Sequence, residues 1–549
     1  MDDSLEEIEE IKSYCQNVQE IQEYTLNYLN DLNSANDQNN LTKLIQVLEK
    51  QNIIENEETF GQFLRMISKI GLYHRHINNF YPKINRIILE YKNFIKTNYS
   101  NEDIFSIFLH NEPILLFLLK EKIFQFDDEI KFLLVNKDYQ EQQNFFFSAD
   151  INEKYQEEGQ NHTQICQIIR SDELQSFISY IEQNNVQLRS NISPSIYETN
   201  LFLRNHKETS LIQYSAFYGS FQIFKYMVEN QPDILDETVW EFAFYGENKQ
   251  IIDNIENHNI PISNKTIRSC IMNSIRSHQK DTFEKLLNRF LTEKNEEKEK
   301  EEINQIITKY DMLKSAILAF NYKVIAEYIE KVKKSLYKIF LKGCKSGLHQ
   351  IVESLLFLPN LNINNCSSHA GLHYACMNGD LYLVKLLLAM PIIDINITSH
   401  HCIMSIEKEF EGFTPLELAI RYGHNRIVLL LLSNEKININ KGSQWIKSLP
   451  LSVAVKFNNF FAAKVLLSFD GIQINSATND RFLAKENRIV DGGETALHIA
   501  CQYNRVEFVK LLLKHPNIDI NPTNWEDKKP IDLTDNEEIK SLLNNYQTQ

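Results

Sequence analysis

The chain has 549 residues, 43 % hydrophobic and 11 % aromatic, with only 15 glycines and 12 prolines. That length exceeds one compact core and suits several domains or an extended array, and the shortage of glycine and proline disfavours a turn-rich all-β fold in favour of helices. The net charge of −16 argues against a nucleic-acid partner, because phosphate-backbone binding needs clustered Lys and Arg.

The N-terminus (Met1, Asp2, Asp3, then Glu-rich) lacks the basic start and apolar stretch of a secretory signal. Residues 1–135 read as a helical region. Ile8, Ile11, Cys15, Val18, Leu29 and Leu32 recur at helical spacing, with Gln22 and Thr25 in the gap. This stripe fits a dimerising coiled coil or an amphipathic helix packing on its own chain; the two polar interruptions favour the second. Further helices are predicted at 41–50, 60–72, 82–97 and 102–120. The longest dense apolar run, Ile114 to Leu119, is far short of the roughly 20 residues of a membrane span.

Residues 136–163 (KDYQEQQN, then NEKYQEEGQN) are polar and acidic and read as a linker. Paired helical segments follow over 164–292. Residues 293–304 contain EKNEEKEKEE, six acidic and three basic residues. The run reads as a charged linker or a solvated helix extension, with Glu296 and Lys300 spaced for an i,i+4 pair.

In the C-terminal half a Leu-rich turn, an Ile-Asn segment and a polar loop recur. The Asn falls at Asn364, Asn396, Asn440, Asn475 and Asn521, in steps of 32, 44, 35 and 46. A unit of roughly 33 residues is one supersecondary element that buries its apolar face only by stacking on neighbours. The clearest unit has Thr414, Pro415, Leu416, Glu417, Leu418 and Ala419, then Gly423, Ile427, Val428 and Leu431. Thr414 suits an N-cap, Pro415 the first helical position, and Gly423 a helix end at positive φ. Thr495, Ala496, Leu497, His498 and Ala500 repeat the pattern with Asn504. Leu372, His373 and Ala375 repeat it with Gly379, and Leu449 to Ala454 repeat it with Asn458. A fifth unit around Gly347 and Leu355 lacks the start, and Pro530 to Leu543 form a closing half unit.

These motifs resemble the ankyrin repeat, whose signature is Thr-Pro-Leu-His-x-Ala. The likeness is specific over 340–545 and weaker over 205–330, where Ser210 to Ala216 lead to Gly219 and Phe242-Ala243 to Gly246. That stretch is similar to the divergent region before the regular repeats of large protist ankyrin families. The resemblance implies an all-α solenoid: divergent repeats over 164–292, then an array with a C-terminal cap over 305–549.

Cys366, His369, His373 and Cys376, with His400, His401 and Cys402 nearby, have zinc-compatible spacings. The repeat register assigns His373 and Cys376 to packing instead, so no metal or cofactor is expected. The eight cysteines form no CxxC pair, which suits reduced thiols in a cytoplasmic or nuclear protein. No phosphate loop, HExxH, GxSxG, kinase or EF-hand motif occurs. The resemblance implies a non-enzymatic, monomeric scaffold that binds partner proteins along first helices and loops. The alternatives are an adaptor whose N-terminal helices recruit a second component, and an enzyme with no familiar motif. Two insertions, 398–411 and 476–493, each precede a signature and are candidate reading loops. Candidate contact residues are Trp445, Arg481, Phe482, His400, His401 and Met404.

Overall fold

The computed structural model describes residues 3–31, 36–74, 80–109, 111–127, 130–131, 146, 160–195, 197–206, 208–292, 309–329, 336–356, 361–365, 369–399, 412–442, 449–478 and 493–547. They fall into two compact units, residues 1–125 with 140–359 and residues 126–139 with 360–549. The described residues are all-helical, apart from one isolated antiparallel bridge between Asn191 and Ser210.

The first unit begins with α1 (Asp3–Asn30), α2 (Asp37–Lys50), α3 (Glu57–Tyr73), α4 (Phe80–Glu90), α5 (Lys92–Asn98), α6 (Asn101–Phe108) and α7 (Glu112–Lys120). Two stretches expected as single helices are therefore broken. Tyr91 separates α4 from α5, and Pro113 starts α7 afresh, a position where its missing N–H is harmless.

Six helix pairs follow in this unit. They are α8 (Gln164–Arg170) with α9 (Leu174–Gln183); then, after the short α10 (Leu201–Asn205), α11 (Leu211–Tyr218) with α12 (Phe221–Asn230); and α13 (Val239–Gly246) with α14 (Lys249–Asn257). The others are α15 (Asn264–Arg276) with α16 (Lys280–Thr292), α17 (Lys309–Ala319) with α18 (Tyr322–Tyr328), and α19 (Leu336–Ser346) with α20 (His349–Leu356). First helix packs on first helix through the series α8, α11, α13, α15, α17 and α19.

The second unit repeats the plan. Its pairs are α21 (Gly371–Met377) with α22 (Leu381–Leu388), α23 (Pro415–Tyr422) with α24 (Asn425–Leu432), α25 (Pro450–Lys456) with α26 (Phe460–Leu466), and α27 (Ala496–Gln502) with α28 (Val506–Leu513). A 3-10 turn (Pro530–Leu533) and α29 (Glu537–Gln547) close it. Leu383, Val384 and Leu387, then Ile427, Val428 and Leu431, then Ala462, Ala463 and Leu466, then Phe508, Val509 and Leu512 are buried in successive pairs. A buried side chain of this size contributes about 1.5–3 kcal/mol, so each pair depends on its neighbour.

One backbone position marks the register throughout. Asp172, Gly219, Glu247, His278, Phe320 and Gly347 in the first unit, and Gly379, Gly423, Asn458 and Asn504 in the second, all lie between first and second helix with φ from 51 to 78°. This left-handed residue ends the first helix and favours Gly, then Asn. Gly246, expected at such a turn, is instead the last residue of α13, and Glu247 takes the left-handed position. Gly246 is small for another reason: a Cβ there would lie 2.0 Å from the Ala216 carbonyl oxygen.

At several markers the next residue straps one pair to the pair before it. Asn248 Nδ2 donates to Gly219 O (2.8 Å), Gln279 Nε2 to Tyr245 O (2.6 Å) and Asn321 Nδ2 to Ile275 O (2.8 Å). In the second unit Asn459 Nδ2 donates to Ile420 O (3.0 Å), and His424 Nε2 lies 3.2 Å from Met377 O.

The N-terminal helices lie across these turns. Helix α1 packs on α18 and α20, and α3 packs on α10 and α17. Ile11, Cys15, Ile21, Thr25, Tyr28 and Leu29 of α1 are buried. Gln22 is buried because its amide serves the array: Nε2 donates to Phe320 O (2.7 Å) and faces His278 Nε2 (3.1 Å), while Oε1 accepts from Tyr322 N (3.3 Å). The polar interruption of the α1 stripe is thus a docking contact with the turns of two later pairs.

Candidate binding surface

The second unit carries the strongest repeats, and its signature residues are structural. Thr414 caps α23, with Glu417 completing the box: Oε2 accepts from Thr414 N (2.8 Å), and Glu417 N donates to Thr414 Oγ1 (3.3 Å). In two other copies His takes the place of Glu417, and in the copy at α25 the residue is Ser452. His373 Nδ1 accepts from Ala370 N (3.0 Å), and its Nε2 lies 3.0 Å from Phe413 O and 3.2 Å from Ile397 O. A donor is needed at Nε2, which fixes the neutral tautomer. His498 repeats this between Thr495 N (3.1 Å) and Lys528 O (3.1 Å), and burial lowers its pKa. Leu372, Ala375, Leu416, Ala419, Leu497 and Ala500 fill the core between first helices. Pro415 opens α23, and Gly379 and Gly423 adopt the left-handed turn.

The repeating Asn forms a ladder along the loop edge. Asn364 Nδ2 donates to Ile392 O (2.6 Å) and its Oδ1 accepts from Asp394 N (2.9 Å). Asn396 does the same with Lys436 O (2.7 Å) and Asn438 N (2.8 Å), and Asn440 with Gly471 O (2.8 Å) and Gln473 N (2.9 Å). Asn475 continues it with Asn517 O (2.7 Å) and Asp519 N (2.9 Å). Each amide satisfies a donor and an acceptor of the next loop, so the loop backbones are held at fixed spacing.

The two insertions leave this edge through closed necks. Ser399 N donates to Phe413 O (3.0 Å), and His373 of the preceding pair faces Ile397 O and Phe413 O, on either side of the first insertion. At the second, Thr478 N donates to Glu494 O and Gly493 N to Thr478 O, each at 2.8 Å. Thr398, Ser399, Thr478 and Glu494 are buried. The repeats therefore close beneath each insertion without it.

The candidate contacts His400, His401, Met404, Trp445, Arg481 and Phe482 lie outside the described residues, as do Cys366 and Cys402. Of the remaining zinc-spaced residues, Cys376 is buried and its thiol is pushed up by desolvation, while both nitrogens of His373 face backbone groups. Among the described residues no group of three or more His, Cys, Asp and Glu is placed to hold a metal. Cys15, Cys166, Cys270, Cys344, Cys376 and Cys501 are free thiols and buried. No described helix is long and apolar enough to cross a membrane.

The exposed apolar residues of this unit include Ile392, Leu429, Phe460, Phe461, Tyr503 and Trp525. Trp525 lies against the second neck: a Cβ on Gly493 would meet its ring at 2.7 Å. It was not among the sequence candidates, although it follows Asn521 much as Trp445 follows Asn440. A concavity in this unit, between residues 432 and 470, has Glu435 and Asp470 as its ionisable lining; one in the first unit, between 164 and 183, has Glu173 and Tyr180.

A family model described as ankyrin repeats (3 copies) matches residues 340–443 and 443–524. The chain is 33 % identical over 141 residues to the ankyrin repeat protein FPV031 of Fowlpox virus (strain NVSL), covering 24 % of this chain and 37 % of the relative. It is 26 % identical over 186 residues to the Target of rapamycin complex 2 subunit AVO2 of Saccharomyces cerevisiae, covering 33 % and 38 %. The chain thus spans well under half of these relatives. Among solved structures it is similar to the ankyrin repeat domain of Bcl-3, at 17 % identity and a TM-score of 0.32, covering 42 % of this chain and 97 % of that one.

Proposed function

Because residues 340–524 are ankyrin repeats, we propose that this protein is a non-enzymatic scaffold that binds partner proteins through the first helices and loops of its second unit. The observation that carries this reading is the loop edge. The Asn ladder and the two hydrogen-bonded necks fix where the insertions 398–411 and 476–493 leave the array, while the repeats beneath them are complete. Variable loops on a rigid frame suit recognition. Of the candidate contacts, His400, His401 and Met404 belong to the first insertion, Arg481 and Phe482 to the second, and Trp445 to the segment after Asn440, while Trp525 lies beside the second neck; aromatic and Arg side chains are the usual anchors of an interface.

The adaptor reading is weaker, because α1 and α3 bury their apolar faces on their own chain. A non-enzymatic role is supported by the commitment of His373, Glu417 and His498 to backbone contacts. We place the protein in the cytoplasm, where buried free thiols are stable.

The test is cross-linking of the full chain in its native cell, compared with a variant in which 400–411 and 480–491 are replaced by short Gly-Ser links. Loss of the cross-linked partners at unchanged helicity supports the proposal. An identical partner set would refute a recognition role for the loops.

A further inference from the structure

Helices α22, α24, α26 and α28 share one register. The third, fourth and seventh residues of each are buried. At about 3.6 residues per turn, the second and fifth residues lie on the opposite, outward side. The second positions hold Tyr382, Arg426, Phe461 and Glu507, and the fifth hold Lys385, Leu429, Lys464 and Lys510. Charged residues fill most of these positions, so stacking does not require an apolar group there. Leu429 and Phe461 nevertheless occupy two of them, 46 % and 38 % exposed, on helices that pack on each other. Beside them Phe460 is 40 % exposed, and Phe508 of the next pair holds its ring edge-on at 5.3 Å between centroids.

The charge on this face is one-sided. Every second helix of the first unit contains a carboxylate, in chain order Glu182, Glu229, Asp253, Asp281, Glu327 and Glu353. Helices α22, α24 and α26 contain none, and their charged residues Lys385, Arg426 and Lys464 are all exposed. This occurs in a chain of net charge −16.

We propose that the outward face of α22, α24 and α26 docks an acidic amphipathic helix of a partner protein. Its apolar stripe covers Leu429, Phe460 and Phe461, and its carboxylates meet Lys385 and Lys464. The surface is separate from the first helices and loops invoked above. Lys385, Leu429 and Lys464 hold the same position on three successive helices, and packed helices lie about 8–10 Å apart. A crossing helix of three to four turns, at about 1.5 Å per residue, therefore spans both cations with its middle over the apolar patch. An extended segment would leave its backbone groups unpaired, because this face offers side chains and no strand edge, whereas a helix satisfies its own. A flat anionic bilayer would also meet exposed Glu507 on α28 and exposed Glu435 and Asp470 just past the ends of α24 and α26; a helix laid across the face avoids them.

The test uses the full chain and a labelled synthetic helix of about 18 residues, long enough to be helical in water, with a Leu stripe and Glu on its other faces. The Glu peptide should bind at least tenfold more tightly than a counterpart with Lys in place of Glu, and more weakly as salt is raised. Leu429→Gln/Phe461→Gln should weaken binding tenfold or more at unchanged Tm. Lys385→Gln/Lys464→Gln should weaken it as much and flatten the salt dependence; this exposed pair decides the matter should the first variant lower the Tm. Lys225→Gln/Lys249→Gln, on second helices of the first unit, should bind as the parent does, and so should the chain with both insertions replaced. Failure of the Glu peptide to bind, equal binding of the Lys peptide, or parental affinity in the Lys385/Lys464 variant overturns the proposal. Binding only to phosphatidylserine-containing vesicles, and not to the peptide, also overturns it and assigns the face to a lipid surface.

Discussion

A single amide can tie two repeats together, and Asn440 shows how. Its side chain makes two contacts with the loop of the next repeat, to Gly471 O and Gln473 N. Neither is deeply buried, so each contributes on the order of 1 kcal/mol. Asn440→Ala should lower stability by about 1–2 kcal/mol in denaturant unfolding. Asn521→Ala should cost less, because its Oδ1 accepts from the exposed Lys529 Nζ (3.2 Å) rather than from a loop backbone N–H. Equal losses at both positions would contradict the ladder. His278 gives the residue scale a pH dependence. Burial lowers its pKa from 6.5 to about 4, so the folded chain holds the neutral ring. The unfolded ring takes up a proton first as pH falls. The stability due to the neutral form is therefore complete above about pH 6.5 and is lost progressively down to about pH 4, with a limit of about 3 kcal/mol. Denaturation midpoints measured across that window should fall for the parent chain and fall less for His278→Asn, which keeps a residue tolerant of the left-handed turn.

At the scale of the helix pair, stability comes from stacking, and Leu387 and Leu431 are each fully buried in a second helix. Leu431→Asp places an unpaired charge there and should destabilise the unit by several kcal/mol. Unchanged thermal unfolding would mean that the register is wrong. Removing 400–411 should leave the helical signal and midpoint intact, since Ser399 and Phe413 already meet below the insertion. A large drop in midpoint would show that the insertion is part of the core. The strong repeats were legible in the sequence because Thr414-Pro415 and Thr495 combine a cap, a helix start and a fixed spacing to a left-handed Gly or Asn. Earlier pairs hide the same turn under Asp172, Glu247, His278 and Phe320, residue types that do not announce positive φ. The straps were hidden as well. Their side chains are Asn, Gln and His at one structural position, which form no motif in a single chain. For the binding surface, spacing located the insertions and their edge, but the contribution of a loop side chain depends on a partner that sequence spacing does not encode.

Across the whole first unit, the decisive long-range event is the docking of α1, and nothing local in the sequence encodes its destination. Gln22 meets groups 256 to 300 residues away. Its polarity, which breaks the apolar stripe of an isolated helix, matches two backbone groups of the Phe320 turn and the ring of His278. The buried neighbours Ile21 and Thr25 complete the seal, the Thr25 hydroxyl donating to Ile21 O. In a stacked series, coupling passes mainly between nearest neighbours. Undocking α1 should therefore loosen α18 and α20, which it touches, and leave α8 and α9, at the other end of the series, least affected. Ile21→Asp in the full chain tests this, because an unpaired carboxylate at that buried position should favour undocking by a few kcal/mol. Hydrogen exchange should then show protection lost first over 322–328 and 349–356, with progressively smaller loss toward 164–183. Uniform loss across the unit would mean that it unfolds as one cooperative block, and no loss over 322–328 would mean that α1 contributes nothing to holding that pair in place.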